Sequence, residues 1–161
     1  MPALLTRRAG IIAAGAATPA LVRNHLGQNF LTGTTFTISV TPTPNSLLLL
    51  SGFSRRNTGS PGTHTCAGGG TWISRSGDFV FVTNGVRVSK WSLRMGASPG
   101  TFNITFTATT NTNCSASVEE FINASDDLSN VSPIGKDTTA GDPTATLPNA
   151  PAASSIVIGN A

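Results

Sequence analysis

Tyrosine is absent from this chain, and only two histidines, His25 and His64, occur in its 161 residues. The missing phenol removes one common acid and one common sugar-stacking group. Charge is scarce as well. Only 11% of residues are Asp, Glu, Lys or Arg, against about a quarter in an average soluble domain. The two cysteines, Cys66 and Cys114, form no C-x-x-C and no Cys/His cluster, so no zinc site is expected. Cys66 lies two residues from His64, which alone makes no ligand pattern. No apolar run reaches the length of a membrane span, and no membrane partner is expected. Gly68-Gly69-Gly70 lacks the Lys-Ser/Thr that would follow in a phosphate-binding loop.

What is present is Thr, Ser, Asn, Gly and Pro, with 39% hydrophobic residues. That apolar share is too high for a disordered chain, and the length is enough for one domain with a core. Thr101 to Thr109 shows the governing pattern. Phe102, Ile104, Phe106 and Ala108 alternate with Thr101, Asn103, Thr105 and Thr107. Side chains of a strand alternate between faces, so this segment has one apolar and one hydroxyl-coated face. Phe36, Ile38 and Val40 alternate in the same way, and Pro42 and Pro44 end that strand. Leu47 to Leu50 reads as a strand buried on both faces. Gly52 to Gly70 reads as a long loop carrying Arg55, Arg56, His64 and Cys66. Short strands are expected at Thr71 to Arg75 and Asp78 to Thr83. Asn84-Gly85 then signals a hairpin into Val86 to Met95. On that return strand the apolar residues change face, and a bulge near Ser89 or Lys90 would restore one core face. Cys114 to Ile122, Thr144 to Leu147 and Ser155 to Ile158 complete the set. This many short strands, spaced by turn signals, predicts an all-β, antiparallel β-sandwich, jelly-roll-like, over residues 30–161.

Residues 1–29 read as an extended N-terminal arm, with His25 in a linker and a short helix in the Ala-rich part. Arg7-Arg8 followed by a weakly apolar run resembles a twin-arginine export signal. The run is short and broken by Pro19, and the favoured reading is an arm that is retained and orders against a neighbour. Charge is unevenly spread. Residues 1–100 hold nine basic residues and one acid, Asp78, a net of +8; residues 101–161 hold Lys136 and six acids, a net of −5. The basic residues are scattered, with no base-stacking aromatic cluster, so nucleic acid is not expected. An acidic protein partner, or basic-to-acidic contact between identical subunits, fits better. Folding that mixes the two halves on one surface is the plainer alternative. Cys66 and Cys114 leave two readings: a disulfide, or two free thiols that are buried or half-buried.

Candidate chemistry is thin. His25 and His64 have no carboxylate in ligand spacing, and His64 reads as an exposed loop histidine. Glu119 and Glu120 are neighbours on a strand and face opposite sides, which disfavours a catalytic dyad. Asp126-Asp127 lacks the spacing of a calcium loop. Trp72 and Trp91 offer sugar-stacking rings, although apolar neighbours in both strands favour core packing. The Asn-x-Ser/Thr matches at Asn103, Asn113, Asn123 and Asn130 are expected by chance in such a composition. No nucleophile–base–acid set is visible, so no enzyme, cofactor or metal is expected.

Several segments carry a resemblance. NSLLLLSGF (Asn45 to Phe53), GGTWI (Gly69 to Ile73), VSKWSLRMGASPGTFNITF (Val88 to Phe106) and VEEFINASDDLSNVSPIG (Val118 to Gly135) are four of them, with TLPNAPAASSIVIGN (Thr146 to Asn160) a later strand pair. Together they resemble β-sandwich virion structural proteins of tailed bacteriophages, of the capsid decoration or cement type. The resemblance implies a virion component, on the capsid surface in preference to the tail, that binds the major capsid protein or other virion proteins. It transfers no catalytic residue. It also implies further strands after Ile158, so completion of the sheet edge by a neighbouring subunit is expected, in a homo-oligomer with a trimer favoured. Arg7, Arg8 and Arg23 are the expected partner contacts. A receptor- or glycan-binding module of a tail, fibre or cell surface is the alternative, and it requires Trp72 or Trp91 to be exposed.

Overall fold

In a computed structural model the chain is all-β. The structure describes residues 8–11, 18–26, 31–32, 34–56, 59, 62–75, 79–81, 85–109, 113–126 and 156–158. The chain divides into two compact units, Leu21–Ile122 and a second formed by Met1–Ala20 with Asn123–Ala161. In the second, β1 (Arg8–Ile11) pairs antiparallel with β12 (Ile156–Ile158), Arg8 opposite Ile158, with a register shift before Ile11.

The unit Leu21–Ile122 is the expected antiparallel sandwich. Its smaller sheet has the order β4 (Thr35–Val40), β10 (Phe102–Ala108), β6 (His64–Ala67). Its larger sheet has the order β2 (Ala20–Leu26), β11 (Asn113–Ile122), β5 (Leu47–Arg55), β9 (Val86–Arg94), β7 (Ile73–Ser74). Two short strands add to it: β3 (Leu31–Thr32) on β11, and β8 (Phe79–Phe81) on β9. The β8–β9 hairpin turns through Gly85 at φ 60°.

Period-two patterning places the core between the sheets. Ile104, Phe106 and Ala108 of β10 are fully buried and meet Ile38 and Val40 from β4. Opposite them lie Leu48 and Leu50 of β5, Trp91 and Leu93 of β9, and Cys114, Ala116 and Val118 of β11. Each fully buried Leu, Ile, Val or Phe side chain among them contributes about 1.5–3 kcal/mol of transfer free energy. Leu47 and Leu48 are both fully buried, so β5 is apolar on both faces at its start. Gly52, on the core face of the same strand, has a steric reason: a Cβ there would stand 2.3 Å from Cε2 of Phe106. The ring fills the space that any side chain would need.

Four expectations are corrected. Arg23 to Leu26 is not linker, and residues 20–26 are not arm; they form β2 at an edge of the larger sheet. The long loop from Gly52 to Gly70 is interrupted, because β5 continues to Arg55 and β6 begins at His64. The Gly68–Gly70 turn that follows is genuine, with φ values of 103°, 74° and 152°. Finally, β9 has no bulge. Its register with β5 runs unbroken from Leu47 opposite Arg94 to Arg55 opposite Val86. Arg7, Thr144 to Leu147, Asp127 and the Ala-rich 12–17 segment lie outside the described residues.

Candidate functional site

A polar bridge crosses the apolar core. His64 starts β6 in the smaller sheet, yet it is only 8% exposed. Its Nε2 lies 2.6 Å from Oγ of Ser54, on β5, and its Nδ1 lies 2.8 Å from Oγ of Ser89, on β9. Both serines are fully buried. The imidazole packs edge-on against Phe106, with ring centroids 5.0 Å apart, and lies 6.3 Å from Trp91. The expected exposed loop histidine is therefore a buried inter-sheet tie. A hydroxyl either donates or accepts, so the two serines satisfy either imidazole tautomer. Ser–His–Ser is also the outline of a nucleophile, a base and an orienting group. Here Ser54 Oγ has no solvent access, and what the arrangement does is hold two sheets in register.

The second site sits at the β2 edge. Glu120 continues the inward face of Cys114, Ala116 and Val118 and is fully buried. Its Oε2 is 3.0 Å from Nε2 of His25 on β2, and its Oε1 accepts a short hydrogen bond from the backbone N–H of Thr43. Burial acts to raise the pKa of this carboxyl. The Thr43 amide, followed by the His25 and Thr43 side chains, outweighs it and holds the pKa below the ordinary 4.5. Ser46 Oγ, also buried, closes no hydrogen bond but lies near enough to favour the carboxylate. Two residues from His25, Arg23 donates from Nη1 to the carbonyl oxygen of Thr41 at 2.9 Å. The inner side of β2 thus grips the chain just after β4. Glu119 and Glu120 face opposite sides of β11, as neighbours on a strand must, yet both are buried, at 4% and 0% exposure, which their adjacency in sequence does not reveal.

The surfaces differ sharply. The outer face of the smaller sheet is built from Thr35, Thr37 and Ser39, then Asn103, Thr105 and Thr107, then Thr65 and Ala67. It carries no charge. Cross-strand hydroxyls bond to one another there, Thr35 to Thr107 at 3.2 Å, and beyond the strand ends Thr41 to Thr101 at 2.9 Å. The exposed large apolar side chains among the described residues are Leu21, Val22 and Ile73, at 54%, 41% and 47%. All three lie on edge strands of the larger sheet.

Of the three arginines expected to meet a partner, Arg23 is exposed on β2, Arg8 begins β1, and Arg7 lies outside the described residues. Cys66 and Cys114 are both free thiols, Cys66 half-buried and Cys114 buried. Burial pushes the Cys66 thiol up to about 12, and it raises Cys114 as well. Neither tryptophan stands open: Trp91 is 8% exposed in the core, and Trp72 is half-buried with Nε1 donated to the Gly68 carbonyl at 2.8 Å. The exposure required by the glycan-binding alternative is missing at Trp91 and reduced at Trp72. Among the described residues no cluster of three His, Cys, Asp or Glu is placed to hold a metal ion. No family model, no curated protein and no solved structure matches the chain.

Proposed function

We propose that this chain is a structural protein of a tailed-bacteriophage virion, a jelly-roll-like subunit that decorates the capsid and reinforces the major capsid protein shell. The observation that carries this reading is the outer face of the smaller sheet. It is mostly exposed, uncharged and rich in hydroxyls, and one cross-strand hydrogen bond, Thr35 to Thr107, ties two of them together. Such a face suits many modest contacts repeated by symmetry over a protein lattice, where multiplicity in place of any single strong contact supplies the binding. Arg23, exposed on β2, and Arg8, on β1, are the proposed basic contacts to an acidic patch on the shell. The segments of resemblance, Asn45 to Phe53 and Val88 to Phe106, supply most of β5, β9 and β10 and so form the heart of this sandwich.

The test is location in an intact particle, by electron cryomicroscopy or antibody labelling. Density for this chain repeated over the head lattice is the expected result. Its restriction to the neck or tail, or its absence from particles, overturns the reading.

A further inference from the structure

Leu21, Val22 and Ile73 share an address. They occupy the two opposite edges of one sheet, β2 at one end of the order and β7 at the other. An edge strand leaves a row of backbone N–H and C=O groups open, and natural edges are normally guarded by charge, proline or cover. On β2, residues 20–24 are all exposed, and Arg23 is the single charge among them. Leu21 and Val22 are consecutive, so they point to opposite faces of the sheet. A flat surface laid on one face would cover only one of them. A strand added along the edge, with its own sheet behind it, covers both.

We propose that β2 of one copy of this chain adds to the β7 edge of the next copy, so that the larger sheets continue from subunit to subunit around a closed ring. A β2-to-β2 contact would leave Ile73 in water, whereas one head-to-tail contact covers all three apolar side chains. A head-to-tail contact closes into a ring when its rotation divides the circle, and otherwise runs on as a filament. Closure at three subunits rests on the decoration-protein reading; the β2–β7 contact itself does not.

Cysteine pairs test the contact on the purified full-length protein. Leu21→Cys and Ile73→Cys are surface changes, made for a short bismaleimide in a Cys66→Ser background because that native thiol is only half-buried, while Cys114 is buried. Within one subunit the two positions are separated by four strand spacings, roughly 19 Å, too far for such a linker. The expected result is crosslinking when the two single variants are mixed, none in either alone, and a covalent trimer from the double variant. Sedimentation of the unmodified protein gives a trimer, and Val22→Lys weakens association by about tenfold or more through charge placed on the edge. A monomer at all concentrations, an open ladder of crosslinked chains, or self-linking of Leu21→Cys alone overturns the proposal. Its failure is separable from that of the capsid reading, because particle location is measured independently. A monomer found on the head lattice sinks only the ring, and a trimer absent from particles sinks only the decoration role.

Discussion

His25 is half-buried and His64 buried, and their partners belong to different chemistries. His25 meets a carboxylate at the rim of the sandwich, where Glu120 also binds the Thr43 amide. His64 meets two neutral hydroxyls in mid-core. A full charge is tolerated where a backbone amide and a second polar side chain converge on it. Between two sheets of Leu, Ile and Phe, only groups that are neutral and can reverse their donor role are admitted at low cost. The rim site fixes an edge strand to the sandwich, and the core site fixes one sheet to the other.

The comparison breaks most severely at Glu120. Glu120→Ala removes the acceptor for both His25 and the Thr43 amide, and a loss of about 2–4 kcal/mol is expected in urea denaturation. Acid should act on the same site with a smaller effect, because the protonated carboxyl still fills its space. Glu120 has a folded pKa held below 4.5, so its contribution is complete above that value. It fades as pH falls through the lower, folded pKa. A stability-against-pH profile of Glu120→Gln should be flatter than that of the parent in this acid range. At the core site, Ser89→Ala strands one imidazole nitrogen and should cost about 1–2 kcal/mol. The sharper test replaces the whole bridge. Ser54→Ala, Ser89→Ala and His64→Leu together should restore stability to within about 1 kcal/mol of the parent, since removing every polar partner leaves none unsatisfied. Equal damage from the triple and single changes would show that the bridge does more than satisfy its own atoms.

The same contrast explains how far the sequence could be read. Alternation at Phe102 to Ala108 and the Leu47 to Leu50 run were visible because each depends on neighbours one or two residues away. Both became strands where expected. Ser89 looked like a phase error in β9, and a bulge was the local remedy. It is in phase: it faces the core to meet a histidine 25 residues earlier. His64 looked like loop because its hydroxyl partners come from two other strands, and His25 looked like linker because its carboxylate lies 95 residues away. A polar residue facing the core is legible only through its partner, and these partners are brought together by tertiary pairing. The exposed apolar edges were also hidden, since Leu21, Val22 and Ile73 become conspicuous only once strand order is known.

The hydroxyl face of the smaller sheet has one more consequence. Ionic strength screens charges and leaves hydroxyl contacts largely untouched. Any partner held by Thr35, Thr105 and Thr107 would stay attached across dilute and concentrated salt, while attachment through Arg23 would weaken as salt rises. A neutral face of this kind suits a molecule that passes between media of very different salinity and must keep the same grip in each.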